Sequence, residues 1–366
     1  MRINFDHIGS CPIDSDIIDE SGQIMLNFYS QADIFHELGR ITKAKIEKSR
    51  IFFAESLNVN TNELFFQYDT ITQTKQLIDY CILNLDIKHI ITSVFEDKAV
   101  LNHLKVLEKN KRINLSYLKT DTFGKIDFKN FEDTLQTDAK TLLSLSHVNK
   151  YNGMLLPVKD FINSCKANKV LFHLNISSTI GKYNIDIQQI KTDFISFDFS
   201  EQYGNKNTGI FFLKQSIAIA DEAYHKLKNN LSESENINAP SIIAIARAFY
   251  NSLNNLEKNK EQIKGIRKYL ILQLDKHFNL KHIIAPYNKE GIYTIISYYF
   301  PEKLFGKYIA EKLDINGISA AKISYPFKLN DEKGEYLRFS IGKANTKEHV
   351  DILINILDKL ANNEYI

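Results

Sequence analysis

The sequence has only three cysteines in 366 residues, at Cys11, Cys81 and Cys165. Their number and spacing exclude a disulfide framework and a cysteine-based zinc site. We expect each thiol to be a small buried or half-buried side chain. The ten histidines are spread singly, without the spacing of metal ligands, so no metal site is predicted.

An excess of one charge and long apolar runs are also absent. The 46 basic and 44 acidic side chains leave a formal net charge of +2, and no block of like charge stands out. This balance argues against nucleic acid or an acidic membrane surface as a partner. No run reaches the length of a membrane span and the first residues form no apolar signal region, so we expect a cytoplasmic protein.

The 14 glycines form neither a dinucleotide-binding loop nor a P-loop. The remaining composition is that of a globular protein, 44% hydrophobic and 25% charged. A chain of 366 residues is long enough for two domains.

Short apolar runs alternate with amphipathic segments through the first two thirds of the chain. This alternation predicts an α/β fold with a mostly parallel sheet covered by helices. The predicted strands are 64–68, 89–93, 113–118, 141–146, 170–174, 194–197 and 209–213. The predicted helices are 31–57, 70–85, 98–109, 128–135, 158–167 and 240–277.

The pattern changes towards the C-terminus, where a smaller α+β domain is predicted. Its predicted strands are 283–285, 293–300, 318–323 and 336–341, and its predicted helices are 303–313 and 347–360. We therefore divide the chain into a large α/β domain, 15–250, and a small α+β domain, 251–366 together with 1–14.

Two predicted strands, Val170 to Leu174 and Phe194 to Phe197, each end in a polar, turn-forming patch. Ligands of open α/β sheets bind beyond the carboxyl ends of the strands. We expect the two patches to face one crevice, which is the candidate site.

Six short motifs carry a resemblance that spans nearly the whole chain. They are Asn4-Phe-Asp-His7, His36-Glu-Leu-Gly-Arg40, the run from His89 to Val100, Ser146-His-Val-Asn-Lys-Tyr-Asn-Gly153, Leu337-Arg-Phe-Ser-Ile-Gly342 and Thr346-Lys-Glu-His-Val350. In this order they resemble the motifs of the class V aminotransferases, and most closely those of the cysteine desulfurases. The resemblance implies the fold type I of enzymes that use pyridoxal phosphate (PLP).

The same resemblance implies a degenerate cofactor site. The family's Ser-x-His-Lys, whose lysine forms the imine with PLP, falls on Asp198 to Glu201, so Ser200 replaces the histidine and Glu201 the lysine. A carboxylate cannot form an imine. Lys206 matches a second family lysine beyond the imine position.

Other cofactor contacts are replaced as well. Asn175 falls on the aspartate that pairs with the pyridine nitrogen, Asp97 on the histidine that stacks on the ring, Lys150 on an asparagine near the ring hydroxyl, and Ser178 on the glutamine after the aspartate. The glycine-containing phosphate cradle falls on Asp69-Thr70-Ile71-Thr72, where Asp69 would repel a phosphate. The segment 324–335 lacks the catalytic cysteine of the desulfurases.

Arg338 matches the family arginine that clamps the substrate carboxylate, a bidentate task suited to guanidinium. One interpretation is therefore that Arg338 binds a small carboxylate ligand. The other is structural, with Arg338 holding the small domain against the large one through an acidic partner.

We predict that Lys150 and Glu201 form an ion pair in the space that the cofactor would fill, with Asp97 nearby. The rival is that Lys150 supplies a relocated imine lysine, although the acidic partner for the pyridine nitrogen is missing.

The sequence thus predicts a class V aminotransferase-like or cysteine desulfurase-like protein that has lost its catalytic residues and, with them, PLP. It would act as a binding or regulatory pseudoenzyme. The resemblance implies a homodimer, or a heterodimer with an active relative. The alternatives are a divergent PLP enzyme acting on a small amino acid, and unrelated chemistry with Glu201 or Asp97 as a general base.

Overall fold

The structure is a computed structural model that describes residues 2–28, 30, 32, 34–201, 208–214, 219, 221–233, 238–282, 291–326 and 333–362. Lys206 and the predicted strand 283–285 lie outside the described residues. Among the described residues, no helix combines the length and apolar character that crossing a membrane requires.

Helices and strands alternate along the described chain. The strands are β1 Ile3–Asn4, β2 Leu64–Gln67, β3 His89–Thr92, β4 Asn114–Tyr117, β5 Thr141–Ser146, β6 Leu171–Asn175, β7 Phe194–Asp198, β8 Gly209–Leu213, β9 Lys281–His282, β10 Ile295–Pro301, β11 Ile318–Ser319, β12 Ala321–Ile323 and β13 Gly334–Ser340. The helices are α1 Ser15–Asn27, α2 Glu37–Leu57, α3 Thr70–Asn84, α4 Lys98–Lys109, α5 Phe128–Thr134, α6 Val158–Ala167, α7 Ile187–Ile190, α8 Asp221–Glu233, α9 Ala239–Asn254, α10 Leu256–Phe278, α11 Glu302–Phe305, α12 Ile309–Ile315 and α13 Lys347–Ala361.

A seven-stranded sheet with the order β2-β8-β7-β6-β5-β3-β4 forms the centre of the larger part. Only β8 runs against its neighbours; the other pairs are parallel. The central strands β5, β7 and β8 are buried on both faces, as strands covered by helices require, whereas the edge strand β4 is partly exposed. This confirms the predicted α/β fold with a mostly parallel sheet.

A smaller antiparallel sheet has the order β12-β13-β10-β9, while β1 pairs in parallel with β11. Its core joins Phe5 near the N-terminus to apolar side chains of α10, β10, β13 and α13, such as Leu270, Tyr298, Leu337 and Leu353. Phe5 and strand β1 therefore pack with the C-terminal α+β part. The boundaries 15–250 and 251–366 stay a prediction.

Four predicted elements differ from the structure. The helix predicted over 31–57 begins only at Glu37, because His36 accepts a hydrogen bond from the Gly39 amide and caps it. The segment 240–277 forms two helices that meet at Asn255. The helix predicted over 303–313 is broken at Gly306, whose φ of 68° favours glycine. The strand 318–323 is divided between two sheets.

The three cysteines are buried, as predicted, and none forms a disulfide within the described chain. Burial raises the pKa of the Cys165 thiol to about 12, so it stays protonated and unreactive at neutral pH.

Candidate functional site

The two polar patches lie side by side at the carboxyl edge of the large sheet. Strands β6 and β7 are parallel neighbours, with Asn175 opposite Ser196. The turn after β6 contacts the end of β7, where Ser177 Oγ accepts a hydrogen bond from the Asp198 amide at 3.1 Å. The predicted crevice at these two strand ends is therefore correctly placed.

Glu201 is the centre of this site, and its side chain is only 1% exposed. Lys182 Nζ lies 2.8 Å from Oε2, and Lys150 Nζ lies 3.2 Å from Oε1. Ser178 Oγ donates a third hydrogen bond to Oε1 at 2.8 Å. The predicted ion pair between Lys150 and Glu201 is confirmed, and Lys182 extends it to three charges.

The charges of this cluster stabilise one another. Burial by itself would raise the pKa of Glu201, but Lys182 and then Lys150 outweigh burial and lower this pKa to about 2. Burial likewise disfavours the ammonium form of Lys150, yet the carboxylates, Glu201 foremost, outweigh it and raise the Lys150 pKa. At neutral pH the cluster therefore consists of one carboxylate held by two lysines.

The N-terminus of α3 lies beside this cluster, and carboxylates of the same chain accept hydrogen bonds from its backbone amides. Asp69 caps the helix by accepting hydrogen bonds from the amides of Ile71 and Thr72, both at 3.0 Å. Asp198 accepts from the Thr70 amide at 3.4 Å and from Thr70 Oγ1 at 3.0 Å. The helix end that would attract a phosphate thus already holds two anions of its own chain.

Asn175 and Ser200 stabilise the turns that follow β6 and β7. Asn175 Oδ1 accepts from the Ser177 amide at 2.9 Å, which closes the turn after β6. Ser200 donates to Asp198 Oδ1 through its amide at 3.1 Å and its hydroxyl at 2.6 Å. Both residues therefore form hydrogen bonds with residues two positions away in the sequence.

Asp97 is not part of the ion cluster. It is exposed and caps α4, accepting a hydrogen bond from the Ala99 amide at 2.7 Å. Its charge contributes to raising the Lys150 pKa, but it forms no ion pair within the described chain. Asp97 was expected near the pair, but it acts on Lys150 only through its charge at longer range. Its carboxylate is held by the hydrogen bond that caps α4.

Comparison with known proteins identifies the family of this chain. Residues 3–353 match the family model described as aminotransferase class-V. The chain belongs to the class V aminotransferase family. The six motifs of the sequence analysis had implied this membership.

Curated class V relatives include cysteine desulfurases called IscS. The one from Dictyoglomus turgidum is 22% identical over 98% of this chain and 94% of its own length. The one from Photobacterium profundum is 26% identical over 97% of this chain and 91% of its own.

Solved structures share the fold. A NifS-like protein superposes with a TM-score of 0.86 at 23% identity, covering 99% of both chains. A NifS-like protein from Rickettsia africae gives a TM-score of 0.82 at 18% identity, covering 99% of this chain and all of that one. The fold is thus that of the PLP-dependent fold type I enzymes.

Arg338, at the position of the class V carboxylate clamp, is bound within the chain. Its Nη2 lies 2.8 Å from Asp6 Oδ1, and its Nη1 donates to the Lys150 carbonyl at 3.0 Å. The residue is 9% exposed. These contacts join β13 to the N-terminal segment and to the loop after β5. They agree with the structural role considered for Arg338, and Asp6 is the acidic partner.

The space beside the ion cluster is small. A cavity lined by Lys182 and Glu201, and by His7, Tyr293 and Lys343, measures about 50 Å³. Cavities that hold small molecules usually measure roughly 300–1,000 Å³.

Lys182 is a site residue that was not predicted from the sequence. It lies four residues after Ser178 in the turn that follows β6, so both side chains reach the same carboxylate. A helical turn places residues four apart on one face. The spacing of four residues between Ser178 and Lys182 was a signal that could have identified Lys182.

Proposed function

We propose that this protein is a non-catalytic member of the class V family that acts by binding or regulation, without PLP. The observation that carries the proposal is the buried carboxylate of Glu201 at the position of the imine lysine, neutralised by Lys182 and Lys150. A carboxylate forms no imine, and the ion pair with Glu201 raises the pKa of Lys150 and so favours its ammonium form. A protonated amine is not a nucleophile, which argues against Lys150 as a relocated imine lysine.

The phosphate end of PLP does not fit the residues present. Its anionic group would lie near the carboxylates of Asp69 and Asp198, in place of the glycine-containing cradle that the family resemblance implies. The backbone amides of Thr70, Ile71 and Thr72 are engaged by those carboxylates. A phosphate would have to displace both internal anions.

The pyridine end fits no better. The neutral amide of Asn175 cannot hold a proton on the ring nitrogen, and its Oδ1 is already an acceptor in the turn after β6. We therefore derive no catalytic step through PLP.

We further propose that the protein works as a dimer, either with a second copy of itself or with an active class V relative. Helices α1 and α2 both pack on α9 and leave large apolar side chains in solvent. Leu26 in α1 is 70% exposed, and Phe35, two residues before α2, is 93% exposed. Exposed apolar groups concentrated on neighbouring helices are typical of an interaction surface.

A sulfide-release assay tests the lack of catalysis. With cysteine and PLP, the purified protein is expected to release sulfide no faster than PLP alone, because no group can carry the imine. An active cysteine desulfurase serves as the positive control. Turnover that disappears in the Lys150→Ala variant would contradict the proposal and favour the divergent enzyme. Native mass spectrometry of the protein, alone and mixed with that desulfurase, distinguishes the two dimers.

A further inference from the structure

A second and much larger cavity lies on the other side of β5 from the ion cluster. It measures about 450 Å³, within the usual range for small-molecule sites. Loops after β3 and β5 and the segment 124–128 enclose it, and Lys150, Asn175 and Glu201 are not among its lining residues. Its walls are mainly apolar and include Phe95, Ile126, Phe128, Leu145, Val148 and Leu156.

One buried carboxylate, that of Glu96, belongs to the lining of this cavity. Glu96 is 5% exposed, and its Oε1 accepts hydrogen bonds from Ser146 Oγ at 2.7 Å and from the Asp97 amide at 2.9 Å. Within the described chain, no hydrogen bond or ion pair reaches its Oε2. Burial raises the pKa of Glu96 and outweighs the opposing charge of Lys150, whose ammonium group is paired with Glu201.

A second polar group of the lining is also unsatisfied. Asn149 Nδ2 is buried and, among the described residues, has no acceptor. The nearby Lys125 and Asp160 carry opposite charges, so Glu96 decides the sign of charge that the cavity favours. An anionic ligand would stand beside a buried carboxylate, whereas a cationic one would supply its missing partner.

We propose that this cavity binds a small organic amine with an apolar body, whose ammonium group contacts Oε2 of Glu96. The apolar body fills the space between the walls, and an acceptor atom on the ligand would satisfy Asn149 Nδ2. This binding site is separate from the ion cluster around Glu201, and it does not depend on whether the protein binds PLP.

Isothermal titration calorimetry with two matched probes tests the proposal. 2-Phenylethylamine is expected to bind saturably, with one molecule per chain, whereas 3-phenylpropanoate has the same apolar body with the opposite charge and should not bind. Glu96→Gln should weaken the amine by about tenfold to a hundredfold, because it removes a charge-assisted hydrogen bond. Glu261→Gln, on the exposed face of α10, should leave the affinity unchanged.

A second variant separates loss of the site from loss of the fold. Ile126→Phe keeps Glu96 but fills part of the cavity, so it should also lose the amine while its urea unfolding curve stays cooperative. The proposal is wrong if the amine shows no saturable binding, if the acid binds as well as the amine, or if both variants keep the affinity of the natural protein.

Discussion

Replacing Glu201 by glutamine is expected to lower the free energy of unfolding by about 3 kcal/mol at neutral pH. The variant keeps the size of the side chain but removes the charge that Lys182 and Lys150 share. The Lys182 side chain is 14% exposed and would be left as a buried cation without a counter-ion. Lys150 is 39% exposed and can turn towards solvent, so the expected loss is at the lower end for a broken buried pair.

Urea unfolding of the variant beside Glu261→Gln measures this effect. Glu261 forms an ion pair with Lys264 at 3.0 Å, but its side chain is 69% exposed. The same chemical change there should lower the free energy of unfolding by less than about 0.5 kcal/mol. Equal small losses in both variants would show that the Glu201 cluster contributes no more than a surface pair.

Replacing His173 by asparagine is expected to weaken the dependence of stability on pH in acid. His173 is 1% exposed in β6, with Nδ1 2.9 Å from Ser144 Oγ and Nε2 2.9 Å from Ser196 Oγ. Burial lowers its pKa to about 3 from an ordinary 6.5, so the folded ring stays neutral while the unfolded ring takes up a proton. Stability is therefore lost as the pH falls from 6.5 towards 3, by up to about 1.4 kcal/mol per pH unit.

Urea unfolding between pH 6.5 and 4.5 tests this expectation. The His173→Asn variant should show a shallower loss of stability, because one proton fewer is taken up on unfolding. Ser196→Ala removes a hydrogen bond of the ring but keeps the titrating group, so it should be less stable at every pH with an unchanged slope. Parallel slopes for the natural protein and His173→Asn would contradict a neutral buried ring.

The sequence was informative wherever the hydrophobic pattern had a clear period. Runs such as 141–146 and 158–167 match strand β5 and helix α6 at both ends, because each is bounded by turn residues and buries one continuous set of apolar side chains. Helix α1 was missed for the opposite reason. Only Ile17 and Ile24 are buried in it, so the period of its apolar face is hardly visible.

Breaks inside long helical patterns were harder to predict. Asn255, which divides 240–277, is neither proline nor glycine, and the break follows from the way in which α9 and α10 pack on different cores. Gly306 is a local signal that could have been used, since a glycine near the end of a helical pattern often terminates it.

The candidate site was predictable in part. The opposite charges of Lys150 and Glu201 fall on positions that the family resemblance places together, so their contact could be predicted. Asp69 was expected only to repel a phosphate, but it also caps α3. An aspartate directly before a helix is a common N-cap, so this role could have been predicted from the sequence. The additional contact of Lys182 depends on the turn after β6, which periodicity does not describe.

The measurement that tests the central claim most directly is borohydride trapping followed by intact-mass spectrometry. The purified protein is incubated with PLP, reduced, and weighed, beside an active cysteine desulfurase treated in the same way. The desulfurase should gain one reduced cofactor per chain, whereas this protein should keep its original mass, because the family resemblance places Glu201 at the position of the imine lysine. A stoichiometric adduct on a single lysine, whether Lys150, Lys182 or Lys206, would contradict the account.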